Sequence, residues 1–283
     1  MIRHFIIAAA AILSGVAVCA QDSAEAWTLS AKDISSSKYY GVTAANGTMG
    51  LISSPEPLTI GETVLAGVYD HFGRGRVNNF LPNICPVQLE VHLDGSRIRK
   101  SNSTDYVQTL DMKNGEFTGR LNCKGASVEY RYCALRQLSH AALMEVTITP
   151  SSEMMLEARI NHDVPTSLHD ARMTTNDLAF HHKSEPPFTM ITTTALSPSE
   201  TVKTASSSAF LFVKEDEAMP VYHKIPDSDK HYIFFRKKLQ AGKPYTFRVI
   251  GSLISSVHTA DPLNQAERIV TYARFLKEGE LMR

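Results

Sequence analysis

Polar and apolar side chains alternate along much of this chain with the period of a β-strand. Val87, Leu89, Val91 and Leu93 are interleaved with Gln88, Glu90, His92 and Asp94, the pattern of a half-buried strand, and Asp94-Gly95 then turns the chain into another short strand. Tyr40 to Ala44 and Met49 to Ser53 flank Asn46-Gly47, which tolerates positive φ, so a second hairpin is expected there. A third is expected over Glu116 to Leu135 around Lys124-Gly125, in a register that sets Phe117 opposite Tyr132 and Leu121 opposite Val128. Further strand-like runs lie at Thr63 to Tyr69, Ala141 to Thr149, Met154 to Asn161, Phe188 to Leu196, Ala209 to Lys214, His231 to Leu239 and Tyr245 to Ser255.

Many short strands with turn signals between them imply a sandwich or barrel. No linker divides the chain and no fixed-period repeat runs through it, so an all-β fold with one large two-sheet sandwich is expected. Ser35 to Ser37 and Ser206 to Ser208 read as loop or strand-edge stretches. The pattern changes near the end. Asp261 suits a helix N-cap and Pro262 the first helical position, and Ala266, Ile269, Val270, Ala273 and Leu276 or Lys277 trace one face at helical spacing. That amphipathic helix either lies back on the sandwich or connects it to a following domain.

The first residues have a different character. Arg3, the apolar run Phe5 to Leu13 and the small residues ending Val18-Cys19-Ala20 read as a signal peptide, residues 1–20, with the mature chain starting at Gln21. The chain is therefore expected to be exported, to the periplasm or the medium. Acylation of Cys19 is the competing lipoprotein reading, although Val18 is bulky where such sites want Gly or Ala. The apolar run is shorter than the ~20 residues a bilayer requires, so no membrane span is expected.

Composition narrows the function classes. The 283 residues are 43% hydrophobic and 20% charged, with 29 basic against 29 acidic side chains, which excludes disorder and leaves no basic footprint for nucleic acid. Of the four cysteines, Cys85, Cys123 and Cys133 follow Ala20; three cannot all pair within one molecule, and the hairpin register keeps Cys123 and Cys133 apart, so small buried thiols are expected. No Gly-rich phosphate loop, nucleophile elbow or CxxC is present, and no cofactor is called for.

Several blocks, in order and approximate spacing, resemble the N-terminal domain of glycoside hydrolase family 65: Ala45-Asn46-Gly47-Thr48-Met49-Gly50, Leu65-Ala66-Gly67-Val68-Tyr69-Asp70, Asn79-Phe80-Leu81-Pro82, Tyr106 to Gly115 around Thr109-Leu110-Asp111-Met112, and Leu135 to Pro150. The resemblance runs from about Tyr39 to Arg283. It implies a galactose mutarotase-like super-sandwich over residues 21–260, a linker helix starting within 261–283, and a catalytic (α/α)6 barrel beyond Arg283 as the domain's partner. Family members act on α-linked glucose disaccharides as inverting hydrolases or as phosphorylases, with their catalytic groups in the barrel. No family catalytic residue carries over to this chain.

The residues agree with that subtraction. Inverting hydrolysis needs two carboxyl groups about 6.5–9.5 Å apart across a sugar pocket, and Glu62, Asp70, Asp94, Asp111 and Glu145 are scattered over turns and strands with no pattern marking a pair. A loop of Tyr69, Asp70 and His71, followed by Arg74 and Arg76 between glycines, is the best candidate for reaching a neighbouring pocket or subunit, through a carboxylate and two guanidinium groups that suit hydroxyls. His162-Asp163, His169-Asp170, Asp177 and His181-His182 crowd imidazoles and carboxylates together without a metal-site spacing, and read as a polar loop packing against another domain. With one tryptophan, Trp27, a dedicated saccharide platform has little support.

Three functional classes follow. The first is the non-catalytic domain of an exported enzyme acting on kojibiose, nigerose, trehalose or maltose, with a homodimer as a further option. The second is a stand-alone carbohydrate-binding or scaffold module. The third is a mutarotase-like sugar enzyme, which needs a histidine and a glutamate converging in an exposed cleft.

Overall fold

Antiparallel pairing organises the described residues. The computed structural model describes residues 24–71, 77–178, 188–212, 221–224, 231–276 and 281. The signal peptide and Cys19, Arg74, Arg76, His181 and His182 lie outside the described residues. The largest sheet has nine strands in the order Thr28–Ala31, Ser103–Asp111, Glu116–Cys123, Ala126–Ala134, Ala141–Pro150, Tyr245–Ser255, Lys203–Phe212, Phe188–Leu196 and His169–Leu178. A five-stranded sheet runs Val221–Lys224, His231–Leu239, Met154–Asn161, Leu89–Leu93 and Ser96–Arg97. Thr43–Ala45, Met49–Ser53 and Ile60–Leu65 form a three-stranded sheet, and Tyr69–His71 pairs with Asn78–Phe80 in a short ribbon.

The two main sheets stack face to face, as the all-β super-sandwich expectation requires. Phe235 of the smaller sheet stands edge-on to Phe210 and Phe247 of the larger one, with ring centroids 4.9 and 5.1 Å apart. Strand period then sorts each central strand's side chains between two interiors. In Ala141–Pro150, Ala142, Met144, Val146 and Ile148 enter the sandwich core, while Ala141 and Leu143 join a second cluster on the opposite face. In Tyr245–Ser255, Phe247, Val249 and Leu253 take the first role and Ile250 the second.

The helix Pro262–Ala273 covers that second face. Its N-cap is as expected, with Asp261 accepting a hydrogen bond from the Asn264 amide at 3.2 Å. Ala266, Val270 and Ala273 are fully buried, Ile269 and Leu276 pack at the margin, and Ser252 Oγ donates to the Ala266 carbonyl at 2.8 Å. No helix among the described residues is long and apolar enough to cross a membrane.

The hairpin registers hold: Phe117 pairs with Tyr132 and Leu121 with Val128, and Lys124 and Gly125 both turn at positive φ. Cys85, Cys123 and Cys133 are free and buried. Several expectations change, and the run Thr63 to Tyr69 divides between the strand Ile60–Leu65 and the strand Tyr69–His71. The second hairpin's first strand is Thr43–Ala45, not Tyr40 to Ala44; Tyr40 is 92% exposed. Ser206 to Ser208 lie in the middle of a central strand with no solvent exposure; Ser207 meets Thr192 at 2.8 Å and Ser208 meets His162 at 2.7 Å, while Ser206 Oγ has no hydrogen-bond partner among the described residues. His169 to Asp177 is the outer strand of the large sheet, not a loop; polar side chains suit an edge strand, whose far side meets water.

One position shows how closely the layers meet. Gly251 faces the Pro86 carbonyl, and a methyl group there would overlap it. Gly251→Ala is therefore expected to lower stability by about 1–3 kcal/mol through overpacking, measured as the shift in the urea unfolding midpoint; an unchanged midpoint would show that the Pro86 loop yields freely.

Candidate functional site

The ribbon Tyr69–His71 and Asn78–Phe80 carries the described half of the candidate loop. Tyr69 and Phe80 are exposed cross-strand neighbours with ring centroids 4.8 Å apart, and Val77 beside them is exposed as well. Asp70 points the other way and is buried. Ser199 donates to its carboxylate through the amide at 3.0 Å and the hydroxyl at 2.6 Å, and the His71 amide donates at 2.6 Å. Burial pushes this carboxyl group up, but the donors on Ser197, Ser199 and His71 outweigh it and hold the group well below the usual carboxylate range. Asp70 is thus an anchor joining the ribbon to the Ser197–Thr201 turn, and Tyr69 and His71 are the members of the motif left facing outward. The ribbon's root also touches the segment leading into the helix: His258 Nε2 lies 3.0 Å from the Ala66 carbonyl oxygen, and Val257 sits beside Gly67.

Three of the other scattered carboxylates are committed in the same manner, while Glu62 is exposed. Asp94 accepts from the Met155 amide at 2.8 Å, and Asp111 caps the turn at Lys113 and Asn114. Glu145 lies between Arg131 (2.8 Å) and Arg248 (2.6 Å) on the helix side of the large sheet. Sequence pattern marked none of these as a pair, and none of them forms one.

A cavity of about 240 Å³ opens where the smaller sheet ends against the edge of the larger one. Glu90, Arg159, Asn161, His162, Asp163, Met173, His231 and Tyr232 line it. Strand register brings most of them together: Arg159 pairs with Glu90 on one side and Asn161 with Tyr232 on the other. Only His162 and Asp163 were singled out from sequence. Glu90 and His92 were legible as a polar face, but which strand lies alongside them is a matter of long-range pairing that no local pattern reports.

His162 forms the cavity's floor and is spent on structure. Ser208 Oγ donates to the Pro86 carbonyl at 2.5 Å, so it accepts from His162 Nε2–H, and Nδ1 then accepts from the Thr193 hydroxyl at 2.9 Å. The network selects one neutral tautomer, and burial drives the imidazole down to about 3. Among the described residues, no group of His, Cys, Asp or Glu is arranged to hold a metal ion. Glu90 and Asp163 share the cavity, but Glu90 is engaged by Arg97 at 2.7 Å. An ion-paired carboxylate is a poor proton donor, so the pair is not arranged as the acid and base of glycoside hydrolysis.

Residues 41–280 match the family model for the glycosyl hydrolase family 65 N-terminal domain. The chain is 40% identical over 262 residues to a kojibiose hydrolase of Flavobacterium johnsoniae and 36% identical over 264 residues to a kojibiose hydrolase of Mucilaginibacter mallensis, covering 92% of this chain in each case. It spans 38% of the length of each of these relatives. Among solved structures, a putative kojibiose phosphorylase from the human microbiome shares the fold with a TM-score of 0.67 at 12% identity, over 90% of this chain and 36% of that one. The chain belongs to glycoside hydrolase family 65, through the N-terminal domain of that family.

Two outcomes follow from this geometry. Asp70→Ala should cost about 1.5–3 kcal/mol, the range for hydrogen bonds to a charged group, and should speed amide exchange at His71 and Ser199 before the rest of the sheet; uniform exchange across the chain would deny the anchor. His162 has a folded-state value of about 3 against an ordinary 6.5, so its contribution is complete above pH 6.5 and is lost as pH falls toward 3. Between pH 7 and 5, stability should fall by up to about 1.4 kcal/mol per unit from this group, and His162→Gln should flatten that slope; equal slopes in both proteins would mean the imidazole charges freely.

Proposed function

We propose that this chain is the non-catalytic N-terminal part of an exported α-glucoside hydrolase, in which it supports an (α/α)6 barrel that carries the bond-breaking residues. One observation carries the reading: the chain matches the N-terminal domain along nearly all its length, yet amounts to 38% of relatives named for hydrolysis of kojibiose. The commitment of Asp70, Asp94, Asp111 and Glu145 to local structure is consistent with catalysis residing elsewhere. Kojibiose is the favoured substrate because both relatives bear its name. Export favours hydrolysis over phosphorolysis, since the latter conserves bond energy only where the phosphorylated sugar is retained.

In this reading the exposed Tyr69–Phe80 pair and His71 face the barrel. The ribbon meets the Val257–His258 segment that leads into the helix, so ribbon and helix entrance lie on one side of the domain. A following domain joined through that helix would find two aromatic rings there to bury. Within the cavity a mutarotase-like activity would draw on Glu90, which is already held by Arg97.

The test compares two polypeptides. Purified alone, the 283-residue chain is expected to release no glucose from kojibiose and to leave the mutarotation of α-glucose at its spontaneous rate. A polypeptide translated from the gene through any in-frame barrel is expected to release glucose, and Tyr69→Ala with Phe80→Ala should weaken its domain packing. Glucose release by the short chain alone would refute the proposal, and so would a stop codon directly after codon 283.

A further inference from the structure

We propose that the cavity at the end of the smaller sheet is a binding site for one ring of a neutral sugar. The proposal concerns this chain alone and does not depend on where catalysis occurs.

The argument starts from polar capacity left over at the wall. Arg159 gives its Nε and Nη2 hydrogens to Glu157, which leaves Nη1 without a partner among the described residues. Asn161 donates through Nδ2 to Asp163 Oδ1 at 3.3 Å and so orients that carboxylate at the cavity wall. Asp163 is exposed, and its second carboxylate oxygen takes no hydrogen bond from a described residue. Donor and acceptor capacity are therefore unspent side by side. Hydroxyl groups both donate and accept, so a polyol satisfies both kinds at once. A simple anion would meet the carboxylates of Glu90 and Asp163, and a simple cation would meet Arg159.

Shape agrees with that chemistry. About 240 Å³ is smaller than the roughly 300–1,000 Å³ of pockets for drug-sized ligands, and suits a single small ring. Met173 and the edge of Tyr232 supply apolar surface, and Tyr232 is held in place by the Arg159 guanidinium 5.2 Å above its ring. The site is built on strand ends of two packed sheets and on a buried, hydrogen-bonded histidine, so little order has to be created on binding.

Isothermal titration of the whole chain with D-glucose, D-galactose and ethylammonium chloride tests the assignment. The expected result is saturable binding of at least one sugar at millimolar concentration, weakened about tenfold or more by Asp163→Ala or by Asn161→Ala. Asp170→Ala, outside the cavity, should leave it unchanged, and circular dichroism of each variant checks that it has folded. No saturable binding of either sugar up to about 50 mM, or binding unmoved by both cavity variants, would overturn the proposal. Ethylammonium binding more tightly than both sugars would overturn it too, by making the carboxylates a cation site.

Discussion

Burial of the central strands on both faces is the constraint from which the rest of this structure follows. A strand that must fill two interiors has no solvent face, so a polar group it carries either finds a partner inside or goes without one, as Thr204 Oγ1 and Ser206 Oγ do among the described residues. The strand Lys203–Phe212 shows the result: Phe210 packs into the sandwich, Ala209 and Leu211 pack toward the helix side, and Ser207 and Ser208 are tied to Thr192 and His162. Without the helix Pro262–Ala273, the cluster of Leu143, Met190 and Ile250 would lie against water. The helix Pro262–Ala273 is thus part of the domain's own packing.

The same constraint explains what could be read from the sequence. Hairpins were legible because their signals are local. Lys124-Gly125 needs positive φ, and alternation on either side fixes which residues face each other. The helix was legible because a cap, a first-turn proline and one apolar stripe coincide within a dozen residues. Strands that are buried on both faces lose alternation, and Ser206 to Ser208 then look like loop because hydroxyls are small, polar and common in turns. Whether they lie in a core depends on what stands opposite, and His162 is 46 residues away in sequence. His169 to Asp177 misled in the opposite sense: an edge strand is half solvated, so its composition resembles a loop's.

The candidate loop was legible as a motif but not as a geometry. Tyr69, Asp70 and His71 are adjacent, yet strand period sends Asp70 inward to Ser199 and leaves Tyr69 outward against Phe80. A carboxylate in a polar-looking loop became an anchor because its acceptors were needed 129 residues further along the chain. The cavity was illegible for a related reason. Its wall combines three strands and the edge of another sheet, and pairing between strands distant in sequence is set by the whole fold.

Where a domain's charged and hydroxylic groups are consumed by its own packing, what it contributes to a larger protein must come from those left over. Here they are of two kinds and lie in two places. On the ribbon the surplus is apolar, a pair of rings beside the segment entering the helix, and apolar surplus is relieved by contact with another folded surface. At the end of the smaller sheet it is polar and mixed, the guanidinium of Arg159 with the carboxylate of Asp163, and that surplus is relieved by a small hydroxylated molecule or by water. Neither place supplies the pair of differently ionised carboxyls that glycosidic cleavage requires, since Glu90 is bound to Arg97 and Asp70 to Ser199.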